Sequence, residues 1–404
     1  MKKSKLLATL TLSFCMAIGA LSGINCLAAE PAAEEAAEWT PGVTIEKDEA
    51  SPTGYTVTFV YQDAAAKNVQ LYSHLMYFYD EADEEKVKYN PEEWHDGMVP
   101  VQHGDYIHDM ENVDGENWVI SLPLPSGGFP YLYIVDGEQI VDPANQPFTN
   151  SITGTVANLS MAYVPFDEEK QSYDLSAVVP RDGENGTIIC DTYIDYAGNE
   201  QDIAVYLPYG YDENREEPYK TLYIQHGNTE NETAWINEGA LPNILDNLIA
   251  EGKTEPVVAV IVSYMDVEDR VENMIQAVVP YAEENYNVST DVNDRALCGS
   301  SQGGSNTAQT YVKYPTSFGY FGIWSSAQSA ELEVEGVEDA DVPTVMLGIG
   351  EYDTDKDRIG SATIFSDKLD AAGIDHTFYV IPGSHDWIFW QKMCIIFLTD
   401  ILWN

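Results

Sequence analysis

Two rhythms of apolar and polar residues divide the chain. Between Trp39 and Pro165 they alternate in short runs, Tyr55-Thr-Val-Thr-Phe-Val60, Val69-Gln-Leu-Tyr72, Trp118-Val-Ile-Ser-Leu122 and Tyr131-Leu-Tyr-Ile-Val135, separated by turn residues. Alternation with period two puts side chains on opposite faces of a strand, so residues 39–165 are expected to form a small all-β sandwich. From about Gly186 the runs become more continuously apolar, at Ile203-Ala-Val-Tyr-Leu207, Thr221-Leu-Tyr-Ile-Gln225, Val257-Val-Ala-Val-Ile-Val262, Thr344-Val-Met-Leu-Gly348 and Thr377-Phe-Tyr-Val-Ile381. Strands buried on both faces of a parallel sheet read this way. Helical stretches fall among them at Gln302 to Tyr314, at Ala362 to Ala372, and at Arg270 to Tyr286, where Val271, Met274, Ile275, Val278 and Ala282 recur at helical spacing. That stripe is core packing and implies no cofactor. Strands alternating with helices predict an α/β domain over residues 186–404, and the polar residues 166–185 before it are expected to be a linker.

The chemistry sits in the second half. Arg295-Ala-Leu-Cys-Gly-Ser-Ser-Gln-Gly-Gly304 contains Gly299-x-Ser301-x-Gly303, an apolar run feeding a serine flanked by glycines. Serine is a poor nucleophile unless a sharp strand-to-helix turn exposes its hydroxyl beside a base, and small residues on either side let that turn close. Ser301 is therefore the candidate nucleophile. Asp353 follows the strand at 344–348 and stands where a triad acid belongs, with Asp355 and Asp357 as alternatives a few residues on. His385, in the loop Pro382-Gly-Ser-His-Asp-Trp387 after the last strand, is the candidate general base; His376, at a strand start, is read as structural. The order Ser, Asp, His is that of an α/β-hydrolase. His226-Gly227-Asn228 ends the strand at 221–225, so the N–H groups of Asn228 and Gln302 are expected to receive an oxyanion, with His226 positioning the turn. Trp235, Trp324, Trp387 and Trp390 lie in sequence near these loops and are candidates to line the cleft.

Together His226-Gly227, the stretch Trp235 to Gly252, the elbow Gly-Ser-Ser-Gln-Gly-Gly304 and Gly383-Ser-His-Asp-Trp387 resemble carbohydrate esterase family one, the esterase D group of feruloyl and acetylxylan esterases, over roughly Ile188 to Trp403. The resemblance implies Ser301 as nucleophile, His385 as base, Asp353 as acid, and Asn228 with Gln302 as oxyanion hole. The residue after the nucleophile is often methionine in that family and is Gln302 here. The segment Gly128 to Asn145 resembles early-set immunoglobulin-like modules related to carbohydrate-binding family 48, whose implied function is glycan binding. Tyr72, Tyr77, Trp94 and Tyr106 are the aromatic residues that would stack on sugar rings.

Charge and cysteine content narrow the setting. The chain carries 19 basic and 67 acidic side chains, a net charge of −48, which repels nucleic acid and anionic surfaces. Residues 1–29, Met-Lys-Lys-Ser-Lys followed by an apolar run and Cys26-Leu-Ala-Ala29, are expected to be a secretory signal peptide, and residues 30–38 an acidic, alanine-rich linker. Cys26 lacks the preceding residues of a lipobox. No later segment is long and apolar enough to span a membrane. Cys190, Cys298 and Cys394 have no metal-like spacing, so no metal is expected, and the triad chemistry asks for no organic cofactor.

These features predict an α/β-hydrolase catalytic domain preceded by a β-sandwich, exported and extracellular or held at the cell surface. Its expected partners are esterified plant xylan or its oligosaccharides, with neither nucleic acid nor membrane. Two competing readings are a siderophore trilactone esterase, which the scarcity of basic residues opposes, and a glycan-binding protein with a silent hydrolase domain, which the complete Ser301, Asp353, His385 set opposes.

Overall fold

The apolar runs become strands whose alternate residues enter two different cores. In the computed structural model, which describes residues 39–404 apart from 74–76, 81–84, 89–93, 102–105, 265, 335–342, 354–357 and 404, the expected leader at 1–29 and acidic linker at 30–38 lie outside the described residues. Residues Thr40–Asn404 form one compact unit.

The amino-terminal half of that unit is built of short strands: β1 (Gly42–Lys47), β2 (Tyr55–Gln62), β3 (Val69–Ser73), β4 (Tyr77–Asp80), β5 (Glu85–Lys88), β6 (Val99–Val101), β7 (Tyr106–Asp109), β8 (Glu111–Asn112), β9 (Asn117–Leu122), β10 (Gly127–Val135), β11 (Glu138–Ile140) and β12 (Ser160–Val164). They pair as β1-β2-β9-β8, as β11-β10-β3-β7 with β12 also on β10, and as β5-β4-β6. The alternation read at 55–60, 69–72, 118–122 and 131–135 falls in β2, β3, β9 and β10. Of the aromatics considered for sugar stacking, Tyr72 is half-buried and Trp94 is buried in the core; the side chains of Tyr77 and Tyr106 lie outside those described.

The second half is one sheet of strands β13 (Thr187–Ile194), β14 (Glu200–Leu207), β15 (Lys220–Gln225), β16 (Val257–Val262), β17 (Arg295–Ser300), β18 (Tyr320–Trp324), β19 (Thr344–Gly350) and β20 (Thr377–Ile381), in the order β13-β14-β16-β15-β17-β18-β19-β20. The β13–β14 and β14–β16 pairings are antiparallel and the remaining five are parallel. Leu222, Ile224, Val257, Ala259 and Ile261 join one hydrophobic cluster, while Tyr223, Val258, Val260 and Val262 join the other, so both faces are covered. The helices are α1 (Thr233–Ile236), α2 (Leu241–Ala250), α3 (Arg270–Asn273), α4 (Val279–Asn285), α5 (Gln302–Lys313), α6 (Arg358–Ala372) and α7 (Trp387–Ile396). A wider π-turn, Met274–Val278, joins α3 to α4, so the stripe read over 270–286 is one helical stretch with a bulge. This is an α/β-hydrolase arrangement, as expected.

One cluster runs without a break from Phe59, Phe129 and Tyr131 of the β-rich half to Trp387, Ile388, Phe389 and Met393 of α7. Gln391 on α7 accepts from the Gly128 N–H at 3.3 Å and donates to the Glu238 carbonyl at 2.8 Å. Asn237 donates to the Leu159 carbonyl at 2.8 Å, and Asn150 donates to Glu232 at 2.8 Å. Residues 166–185, read as a polar linker, are packed into this contact: Leu175 and Val178 are buried, Gln171 bonds the Ser126 N–H and the Thr53 carbonyl, and Asn243 and Asn247 of α2 donate to the carbonyls of Ala177, Val178 and Val179. The few apolar anchors in a polar stretch are what the composition concealed.

Removing residues 40–165 would bare the apolar side of α7. A chain beginning near Asp167 is therefore expected to lose cooperative thermal unfolding and to lose activity on small and polymeric esters alike. Full small-ester turnover with a sharp melt in that shortened chain would contradict the shared core.

Candidate active site

The elbow is fixed by close backbone approach. Ser301 follows β17 directly, at φ 54° and ψ −112°, and α5 begins at the next residue. Such a conformation at a non-glycine residue costs on the order of 1–3 kcal/mol and persists only where the surroundings impose it. They do so here through glycines: a Cβ on Gly303 would lie 2.3 Å from the Gln225 carbonyl oxygen, and one on Gly304 2.3 Å from that of Trp324. The Ser301 N–H donates to the Trp324 carbonyl at 2.9 Å, and the Ser305 N–H to the Ser301 carbonyl at 3.0 Å.

The loops after β19 and β20 meet beside this turn. Glu351 N–H donates to the Ile381 carbonyl at 3.0 Å and Tyr352 N–H to that of Gly383 at 2.9 Å, while Asp386 caps α7 by accepting from the Phe389 N–H. His385 Nε2 is 2.9 Å from Ser301 Oγ, and His385 Nδ1 is 2.9 Å from Asp353 Oδ2. An ionised carboxylate only accepts, so Nδ1 carries the proton and Nε2 offers its lone pair to the serine hydroxyl. Asp353 is 1% exposed, and its other oxygen lies 3.3 Å from Arg358 at the start of α6. Sequence reading missed Arg358; its signal was a cation just past a run of carboxylates. Asp355 and Asp357 lie outside the described residues.

His226 is buried and stacked on Tyr264 with ring centroids 4.2 Å apart, and the Tyr264 hydroxyl donates to the His226 carbonyl. Its Nδ1 lies 2.7 Å from the Gly227 carbonyl, which only accepts, so Nδ1 bears hydrogen. Burial lowers the pKa to about 4 and keeps the ring neutral. With the Gly227 carbonyl held toward His226, planarity turns the Asn228 N–H the opposite way. Among the described residues no acceptor pairs with the backbone N–H of Asn228 or of Gln302. His376 bonds Ser366 and the Ile374 carbonyl instead, at the α6–β20 connection.

The four tryptophans separate. Trp387 and Trp390 line a cavity of about 280 Å³ with Asn228, Glu230, Ser301 and His385, their rings perpendicular with centroids 5.1 Å apart. Trp390 also meets the His385 ring edge-on at 5.0 Å. Trp235 and Trp324 do not line it. Both are fully buried: Trp324 is in β18, and Trp235 donates to the Gln225 carbonyl at 3.1 Å and packs behind Trp387. Nearness in sequence to a catalytic loop does not decide which side of the sheet a ring takes. Among the described residues Cys190, Cys298 and Cys394 are unbridged and no cluster suits a metal.

Glu230 was also missed. Its Oε2 accepts from the Gly227 N–H at 2.6 Å, and a Cβ on Gly227 would lie 2.9 Å from that oxygen and 3.5 Å from Ser301 Cβ, so carboxyl and serine flank one glycine. Burial raises its pKa to about 7 against the opposing Gly227 hydrogen bond, and its acidic neighbour Glu238 is raised by burial to about 8. Tyr264 also faces it, while Arg358 and His385 share its cavity. Below about pH 7 the group is neutral; above it, a negative charge stands beside the place where an oxyanion would form. Glu230→Gln is expected to remove a fall in kcat on the alkaline side of about pH 7. Identical kcat–pH profiles for the variant and the unaltered protein would contradict this.

Comparison with known proteins agrees with this architecture. A family model described as putative esterase matches residues 195–396, half of the chain. An endo-1,4-beta-xylanase/feruloyl esterase of Xylanibacter ruminicola is 28% identical over 288 residues, 67% of this chain and 38% of that protein. Endo-1,4-beta-xylanase Y of Acetivibrio thermocellus is 32% identical over 151 residues, 34% of this chain and 14% of that protein. The chain thus spans well under half the length of either curated relative. Among solved structures, the enterobactin esterase of Shigella flexneri covers 90% of this chain and 96% of its own at a TM-score of 0.57 and 14% identity, a likeness of fold that extends over both halves. By the family match, the chain belongs to the putative esterase family, with residues 195–396 as its carboxylic ester hydrolase domain.

Proposed function

We propose that the protein is an exported serine esterase that removes feruloyl or acetyl groups from plant xylan through an acyl-enzyme. The observation that carries this reading is the unbroken chain of contacts Asp353–His385–Ser301, 2.9 Å at each step, opening on a cavity walled by Trp387 and Trp390. Two relatives named as xylanases, one also as a feruloyl esterase, support the substrate class. The leader-like residues 1–29 support export, and the resemblance of Gly128 to Asn145 to glycan-binding modules supports a polysaccharide partner.

In this mechanism His385 Nε2 takes the Ser301 proton as Oγ attacks the ester carbonyl, and Asp353, held by Arg358, stabilises the imidazolium. The Asn228 and Gln302 N–H groups receive the oxyanion, aided by the positive end of α5. His385 then protonates the departing sugar oxygen, and water activated by the same ring hydrolyses the acyl-enzyme. The paired tryptophan rings favour a planar aromatic acyl group over acetyl. The acidity of the chain opposes a tri-anionic iron–siderophore complex as substrate.

Ser301→Ala is expected to lower kcat about 10⁴- to 10⁶-fold without unfolding the protein. Asp353→Asn should depress kcat far more than Asp355→Asn or Asp357→Asn, and the reverse order would move the acid. Turnover of methyl ferulate should exceed that of acetylated xylan; efficient hydrolysis of a siderophore trilactone with neither of these would overturn the assignment.

A further inference from the structure

A second cavity, of about 260 Å³, lies away from Ser301 where the two halves of the fold meet. Its walls come from the turn Trp94 to Met98, the segment Gln171 to Leu175, Pro382 and Gly383 just before His385, and the first turns of α7. Most of the lining is apolar, from Met98, Pro125, Leu175, Ile388 and Phe389. Four of its polar side chains are already paired. Gln171 bonds Ser126 and Thr53, Ser126 Oγ accepts from the Leu175 N–H, and exposed Asp96 accepts from both the N–H and the hydroxyl of Ser172.

Beside the exposed Tyr173 hydroxyl, two nitrogen donors are left over among the described residues. Lys392 on α7 has no anionic partner among the described residues and sits 3.5 Å over the Tyr173 ring, although the protein carries 67 carboxylates. The indole Nε1 of Trp94, 9% exposed, is buried without an acceptor among the described residues. Leaving a buried donor unpaired costs its full desolvation, so the site is built to be completed by a ligand that accepts. Apolar walls with an ammonium and an indole N–H match a flat ring bearing a carboxylate. The volume, just under the roughly 300–1,000 Å³ of sites for drug-sized molecules, suits a single ring with a short acidic arm.

We propose that this cavity is a second binding site for a monocyclic aromatic carboxylate, with Lys392 and Trp94 donating to the carboxylate and the ring lying against Met98, Ile388 and Phe389. The ligand chemistry follows from the cavity alone; that the ligand is also the acid released by the enzyme rests on the esterase reading. Because the walls include Pro382 and Gly383, occupancy is transmitted to the loop that carries His385, giving the product a route to restrain turnover other than competition at Ser301. Burial lowers the Lys392 pKa to about 7, so the ammonium is present below that pH and lost above it.

The test titrates 4-hydroxycinnamate by calorimetry into the full chain whose Ser301 has been capped with a fluorophosphonate, so that the catalytic cavity is filled. One remaining site is expected. Lys392→Met should weaken it about tenfold or more, and Trp94→Phe, which keeps an aromatic ring but removes the N–H, by a smaller factor. 4-Hydroxycinnamyl alcohol, the same ring without the carboxylate, should bind both forms alike. Raising the pH from about 6 to about 8 should weaken binding of the acid in the unaltered chain and not in Lys392→Met. Lys392→Met should keep the melting temperature, and both variants should keep the initial rate on a small ester. No binding to the capped chain, equal affinity in Lys392→Met, or an alcohol that binds as tightly as the acid would overturn the proposal. Failure of the fluorophosphonate to attach would count against Ser301 as nucleophile and leave the cavity to be read from the Lys392→Met difference in uncapped chain.

Discussion

The catalytic half depends on one close approach: the first turn of α5 lies directly on the carboxyl ends of β15 and β18. Only glycine at 303 and 304 allows it, since a Cβ at either would meet a backbone oxygen at 2.3 Å. The approach forces Ser301 into its left-handed turn and lifts the hydroxyl clear of the sheet. It also brings the Gln302 N–H to the helix end, where it has no acceptor among the described residues. Strands buried on both faces, with separate clusters above and below, supply the rigidity that holds the strain.

Everything else at the site is brought to that serine. The loops after β19 and β20 are joined by backbone hydrogen bonds and deliver Asp353 and His385 as a pair. His226 fixes the facing turn through the Gly227 carbonyl, and Arg358 occupies the second oxygen of Asp353. The β-rich half participates because α7, which begins two residues after His385, is clamped on its outer side by strand β10 through Gln391. A site at the ends of parallel strands is thereby backed by a second structural layer.

What the sequence discloses follows from what is local. The elbow glycines, the apolar strands and the His385 loop are each specified by residues within a few positions, and they could be read directly. Arg358 and Glu230 could not, because their roles arise only when distant loops converge. β18 escaped notice since Tyr320-Phe-Gly-Ile-Trp324 is short and interrupted by glycine, and α7 since eight of its ten residues are apolar and leave no amphipathic stripe to read. Apolarity that wide marks a helix covered by the sheet on one side and the β-rich half on the other. Trp235 and Trp324 were misassigned to the cleft because sequence distance from a catalytic loop carries no information about which layer a ring enters.

The central claim is that Ser301 carries the acyl group during turnover. Its most direct test is rapid acid quench of the protein during hydrolysis of a feruloyl ester, followed by peptide mass analysis. The account predicts a single feruloyl adduct on the peptide containing Ser301, localised to that residue by fragmentation. An adduct on Ser300 or Ser305 instead, or efficient turnover by a route that forms no covalent intermediate, would contradict it.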